Sequence, residues 1–236
     1  MRENLNKDNL DQGDYTLTGT ILKRKDSIKS TQSLLIFLKD IGPRWISAPS
    51  STGKNKSSSI TEPLIWGNFN IYQSPSKLFL KSIDIKQDFL TIRSDIKKLK
   101  TAIELYKITI NNVYLNHESN DMLKILWNAM LQINESAKPE YIKFRFIWKL
   151  LKIIGRAPSL LCCSKCGSPI TSSTLSWDED GLICSRCTNT TKLTLEEMRN
   201  MQFAVYLSHE KFIQWSNITN FSENISDISK HMLTFF

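Results

Sequence analysis

The chain has 236 residues, 41% of them hydrophobic and 23% charged, with 31 Lys+Arg against 23 Asp+Glu and hence a net charge of +8. That length supports one large or two modest domains whose cores need no disulfide staples, and the composition excludes a disordered or fibrous chain. The greasiest stretch, Tyr141 to Ile154, contains Lys143, Arg145, Lys149 and Lys152, which excludes a membrane span of about 20 uncharged apolar residues.

The polar opening MRENLNKDNLDQGD contains no apolar signal segment, so a cytoplasmic location is expected. Residues 1–160 hold 25 Lys+Arg against 15 Asp+Glu, whereas residues 161–236 hold 6 against 8. An uneven distribution of this kind is expected when one part of a protein faces a polyanion. A Lys-, Asn- and Ile-rich composition also follows from genomic base bias, so charge alone leaves both readings open.

Residues 1–14 read as a flexible N-terminus. From Tyr15 to Lys25, Leu17, Gly19 and Ile21 alternate with Thr16, Thr18 and Thr20, the period of two of a half-buried strand. Further strands are predicted over Gln32–Lys39, Arg44–Ser47, Leu64–Tyr72 and Lys77–Ile85, with a polar basic loop over Pro49–Ser59. Five short strands with no helical period between them predict a small closed barrel of the OB type over residues 15–86. Trp45 or Trp66 could stack on a base as OB surfaces do, but the barrel's need for large interior residues favours core packing for each.

The period then changes to 3.6, which predicts an all-α domain over residues 87–236 and an α+β protein overall. Ser94 is placed to cap a helix whose apolar positions are Leu99, Ala102, Ile103, Tyr106, Ile110 and Val113. A second helix is predicted over Asn120–Ile133. A third runs from Pro139 to Gly155 and is apolar nearly all round, as the central helix of a bundle would be. Thr194 and Glu197 form a capping box that opens a helix reaching about Leu207, and a last helix is predicted over Ser226–Leu233.

Four cysteines carry the clearest chemical signal. Cys163-x2-Cys166 and Cys184-x2-Cys187 are spaced so that two tight turns aim four thiolates at one tetrahedral centre. Gly167 supplies a turn, and Asp180-Gly181 is placed to close a hairpin between Thr174–Trp177 and Leu182-Ile183, giving a zinc-ribbon-like knuckle within residues 161–190. One structural Zn2+ is therefore expected. Four thiolate ligands leave no open position for a catalytic water. Disulfides do not suit a cytosolic chain, and a redox thiol pair would need only one CxxC. Cys162 reads as a small buried residue.

Arg145, Lys149, Lys152 and Arg156 fall at i, i+4, i+7 and i+11 and form one basic stripe on the third helix. Such a stripe is either a solvated face or a site for DNA or an acidic, hydrophobic partner tail. Enzyme readings find little support in the sequence, and the rival of that class, a thiol enzyme using Cys163 and Cys166, is separated by metal content. Lys54 after Gly53 is followed by Asn55, not Ser or Thr as in a phosphate loop, and His117, His209 and His231 stand apart from any nucleophile pattern. A zinc-ribbon transcription or translation factor is the alternative reading, although it would not need the long apolar helix.

The run KFRFIWKLLKIIGRAPSLLCCSKCG, together with GTILKRKDSIKSTQSLLIFLKDIG near the start, resembles the RecO family of bacterial DNA repair and recombination-mediator proteins. The resemblance covers about residues 15–210. It implies a non-catalytic protein that binds single- and double-stranded DNA and anneals strands. It also implies recombinase loading together with a RecR-type partner and single-strand-binding protein, and a place at the bacterial nucleoid. Carried over by position, Lys23, Arg24, Lys25, Arg44, Lys54 and Lys56 would contact phosphates.

Overall fold

The structure, a computed structural model, describes residues 10–26, 31–49, 61–135, 137–170, 175–188 and 192–236. They divide into two compact units, one made of the described residues within 1–94 and 106–124 and one of those within 95–105 and 125–236.

The first unit holds strands β1 (Gly13–Asp26), β2 (Thr31–Leu38), β3 (Gly42–Pro49), β4 (Trp66–Gln73) and β5 (Leu78–Gln87). They form a closed barrel in the order β1-β2-β3-β5-β4. Closure depends on β1, which pairs with β4 from Gly13 to Thr20 and with β2 from Gly19 to Asp26. Gly19 sits at this crossover opposite Gly67. A Cβ on Gly19 would lie 2.1 Å from the Phe37 carbonyl oxygen, and one on Gly67 would lie 2.2 Å from that of Asp84. Glycine is thus required at both positions for the strands to approach.

Alternation fills the interior with Ile21, Leu34, Ile36, Leu38, Ile46, Phe69 and Ile71. Trp66 is buried but stands outside the interior cluster, one residue out of phase with Phe69 and Ile71, and its indole N–H donates to the Tyr106 hydroxyl at 2.9 Å. The same hydroxyl lies 2.8 Å from Thr20 Oγ1, and burial pushes its pKa up.

After β5 comes a short helix, α1 (Leu90–Arg93), that the sequence reading missed, followed by α2 (Ile96–Asn112). The α2 cap is Asp95 rather than Ser94. Asp95 Oδ1 accepts from the amides of Lys97 and Lys98 at 2.8 and 3.1 Å, while the Ser94 hydroxyl donates to the Thr91 carbonyl at the end of α1. The carboxylate is both a stronger acceptor and a better partner for the helix N-terminus.

Helices α3 (Asn120–Asn134) and α4 (Pro139–Ile153) follow. In the second unit α4 buries Tyr141, Ile142, Phe144, Phe146, Ile147, Trp148, Leu150 and Leu151, as its all-round apolarity predicts. It ends with the Gly155 amide on the Lys152 carbonyl and the Arg156 amide on that of Leu151, the paired bonds of a Schellman stop.

A hairpin, β6 (Leu175–Asp178) and β7 (Gly181–Cys184), precedes α5 (Leu195–Tyr206), α6 (His209–Ile218) and α7 (Glu223–Met232). The Thr194/Glu197 capping box is present. Helix α6 was not foreseen. The last helix starts three residues earlier than predicted, capped by Ser222, whose hydroxyl accepts from the Asn224 amide.

Candidate metal knuckle and basic surfaces

The four predicted cysteines converge. Their sulfur atoms all lie within 4.8 Å of one another, and Cys166 and Cys184 are 3.6 Å apart. A tetrahedral ion with metal–sulfur bonds of about 2.3 Å needs sulfur separations of about 3.8 Å, so the cluster fits one such ion. All five cysteines are free thiols.

Two turns build the cluster. The Gly167 amide donates to the Cys163 carbonyl at 2.9 Å, with Gly167 at φ 69°, and the Cys187 amide donates to the Cys184 carbonyl at 2.9 Å. Hairpin β6–β7 brings the turns together, since the Ser164 amide donates to the Leu182 carbonyl at 2.7 Å and the Cys184 amide to Cys163 Sγ at 3.4 Å. Its two-residue loop is Glu179-Asp180, one position earlier than predicted, because Asp178 pairs with Gly181. Cys162 is only half-buried, and its amide is held by the Ser159 hydroxyl at 3.1 Å.

The thiols differ in acidity. The Ser168 hydroxyl and amide hold Cys166 down to about 6, whereas hydrogen bonding with Cys166 and then burial push Cys187 up to about 12. Each thiolate formed makes the next harder to form at this separation, so all four ionise together only around a cation.

The six barrel cations do not share one environment. A bulge between Ile21 and Lys23 resets the alternation of β1. Lys23 and Lys25 emerge exposed, with Lys25 Nζ 4.8 Å from the centre of the Trp45 ring. Arg24 is instead ion-paired with Glu62. Arg44 is buried, its Nε donating to the Ile41 carbonyl at 3.2 Å. Lys54 and Lys56 lie outside the described residues. Trp45 departs from its predicted core position. Ile46 and Ala48 point into the core, so Trp45, one residue out of phase, stands half-buried on the outer surface.

The α4 stripe is also divided. Arg145 is 5% exposed, with Nη1 donating to the Ala204 carbonyl at 2.7 Å, Nη2 to that of Leu207 at 2.9 Å, and its guanidinium 4.6 Å from the Phe212 ring. It thereby closes the C-terminal end of α5, where a cation is favoured. Burial lowers Arg145 to about 10.

Lys149 is half-buried, and burial, then the neighbouring charges of Arg145 and Lys152, bring it down to about 8. Lys152 is exposed, 5.6 Å from the Trp148 ring. Arg156 is exposed and donates to the carbonyls of Phe235 and Phe236 at 3.0 and 3.1 Å. No sequence signal separated Arg145 from the other three, since its partners lie about 60 residues away.

A closed five-stranded barrel in one unit, and helices with a four-cysteine knuckle able to hold a metal ion in the other, define a protein of the barrel-plus-cysteine-knuckle class. The family model for the recombination protein O C-terminal region matches residues 93–228, and the chain belongs to that family. The DNA repair protein RecO of Acetivibrio thermocellus is 26% identical over 89% of this chain and 85% of its own length. That of Oceanobacillus iheyensis is 25% identical over 93% and 86%, and that of Chlamydia trachomatis serovar D 24% identical over 84% and 82%. No helix among the described residues is long and apolar enough to cross a membrane.

Proposed function

We propose that the chain is a non-catalytic mediator of recombinational DNA repair that binds and anneals single-stranded DNA and helps to load a recombinase. Family membership supports the repair role. The observation that carries the DNA-binding part is the outward pair Lys23 and Lys25 beside Trp45 on one barrel face. Lysines at this spacing neutralise backbone phosphates without reading sequence, and the aromatic ring offers a surface for an unpaired base.

The knuckle holds one Zn2+ through Cys163, Cys166, Cys184 and Cys187 in a structural role. Protein partners of the RecR type and single-strand-binding protein belong to the same proposal, as do double-stranded DNA and a cytoplasmic, nucleoid-associated location. Lys149, Lys152 and Arg156 are the candidate contacts for an acidic partner tail, with Arg145 supporting their surface from beneath.

The test is annealing of complementary oligonucleotides, bare and coated with single-strand-binding protein. The protein should accelerate annealing of both, and the Lys23→Ala/Lys25→Ala variant should lose most of that acceleration. Absence of any acceleration by the intact protein would remove the mediator reading and leave a zinc-knuckle binding factor of another kind.

A further inference from the structure

The barrel carries a groove of about 540 Å³ that phosphate neutralisation alone does not use. It lies where β3 meets β5, whose parallel pairing is confined to Ile46 with Leu78 and Ser47 with Phe79. Another wall is made by Leu115 and Asn116 from the segment after α2. Asn116 is fixed there with φ 63°, its amide donating to the Pro43 carbonyl at 3.0 Å. The volume falls within the range of about 300 to 1,000 Å³ typical of small-ligand sites.

The groove's chemistry is one-sided. Trp45 lines it with Lys25 over its ring, Lys77 and Arg44 add positive charge, and none of the described lining residues is acidic. The side chains of Ser33, Ser47 and Asn116 have no hydrogen-bond partner among the described residues. On the other face of the same barrel, polar side chains satisfy one another, as Thr16 does with Asn70, Thr18 with Asn68 and Asn70 with Ser82 at 2.7, 2.9 and 2.8 Å. Unused donors and acceptors, an aromatic ring and lysines therefore converge on one recess.

We propose that this groove takes one unpaired nucleobase of a bound strand, stacked on Trp45, with its edge met by Asn116 and Ser47 and its flanking phosphates held by Lys25 and Lys77. The proposal rests on the reading of the barrel as a DNA interface. A base within a duplex is paired along its edge and stacked on both faces, so it does not enter without being extruded. The groove would thus turn a sequence-blind cationic face into one that prefers single strands. An extended peptide is the less suited occupant, because it offers neither the phosphates nor the planar ring that these groups match.

The test uses the full-length protein with three ligands of equal length: an oligothymidine, the same oligomer with abasic sugars, and a duplex. Trp45→Ala should weaken oligothymidine binding about tenfold, with the salt slope unchanged and the other two affinities unmoved, while Trp45→Phe retains most of the affinity. Equal loss on all three ligands, no loss on oligothymidine, or equal binding by a free mononucleotide would overturn the proposal.

If Trp45→Ala does not fold, tryptophan emission of the unaltered protein decides. Oligothymidine should quench it and the abasic oligomer should not, and equal quenching overturns the pocket. The underlying reading fails separately. If the Lys23→Ala/Lys25→Ala variant keeps the wild-type salt slope, the barrel is not the interface at all. If that slope falls while Trp45→Ala is indifferent, only the pocket is lost.

Discussion

The cations of β1 and those of α4 look alike in sequence, yet the structure treats them in opposite ways. On β1 a period of two decides their fate, so Lys23 and Lys25 share one exposed side and Arg24 turns to Glu62. On α4 the four cations share a helical stripe by spacing, but the helix is buried nearly all round, and the packing of α5 and α6 takes Arg145 out of solvent. Geometry along an element says which residues point the same way. Only the neighbouring elements say whether that direction is solvent.

The largest effect should come from the knuckle, which belongs to the helical unit and not to the barrel. Cys184→Ser should release the bound metal, about one zinc per chain in the unaltered protein, while Cys162→Ser should retain it. Metal analysis of the purified variants checks both halves, and full zinc in Cys184→Ser would break the assignment. The next effect should be that of Arg145→Met. It leaves the Ala204 and Leu207 carbonyls without their donor, and should cost about 3 kcal/mol in denaturant unfolding. A solvent-facing arginine would cost within about 0.5 kcal/mol, so the denaturation midpoint decides directly between a buried clamp and a solvated stripe.

These contrasts also mark what the sequence could reveal. The strands, the central helix, the capping box and the four converging cysteines were legible because each follows from local period or spacing. Helix α6 was not, because ten residues are too few to establish a helical period, and Ser208 is followed at the third position by Lys211 rather than Glu or Gln, so no capping box marks its start. The cap of α2 was misplaced by one residue because Ser94 and Asp95 are both capping types. The size of Trp45 favours a core position, whereas the phase set by Ile46 and Ala48 places it outside. The burial of Arg145 depended on Ala204, Leu207 and Phe212, and no local pattern contains such distant partners.

A smaller effect separates Lys149 from its exposed neighbours. Its folded pKa is about 8, against an ordinary value of 10.5, so between these values the unfolded chain binds more protons. Stability should therefore rise as pH climbs through this window, because the half-buried amine sheds a charge that burial disfavours. Binding of an acidic partner-tail peptide should move the other way and weaken as pH passes about 8. Titration of peptide binding from neutral to mildly alkaline pH checks the sign. In Lys149→Met the alkaline loss should disappear, and its persistence would assign the effect to another group.

The finest distinction lies within three consecutive residues of β1. If Lys23 and Lys25 each neutralise one phosphate of a single strand, removing both should flatten the dependence of log K on log salt by about 1.4, from about 0.7 per contact. Affinity should fall alike for all sequences, because phosphate contacts carry no base information. Arg24→Ala should leave the slope unchanged, because its guanidinium is already paired with Glu62 on the other side of the strand. Its only cost should be that of a partly exposed ion pair, about 0 to 1 kcal/mol of stability. The measurement is therefore a set of salt titrations on the unaltered protein, the double variant and the arginine variant. Equal flattening by Arg24→Ala and by either single lysine variant would mean that the strand's alternation does not sort these charges, and that DNA approaches from a side on which all three can reach it.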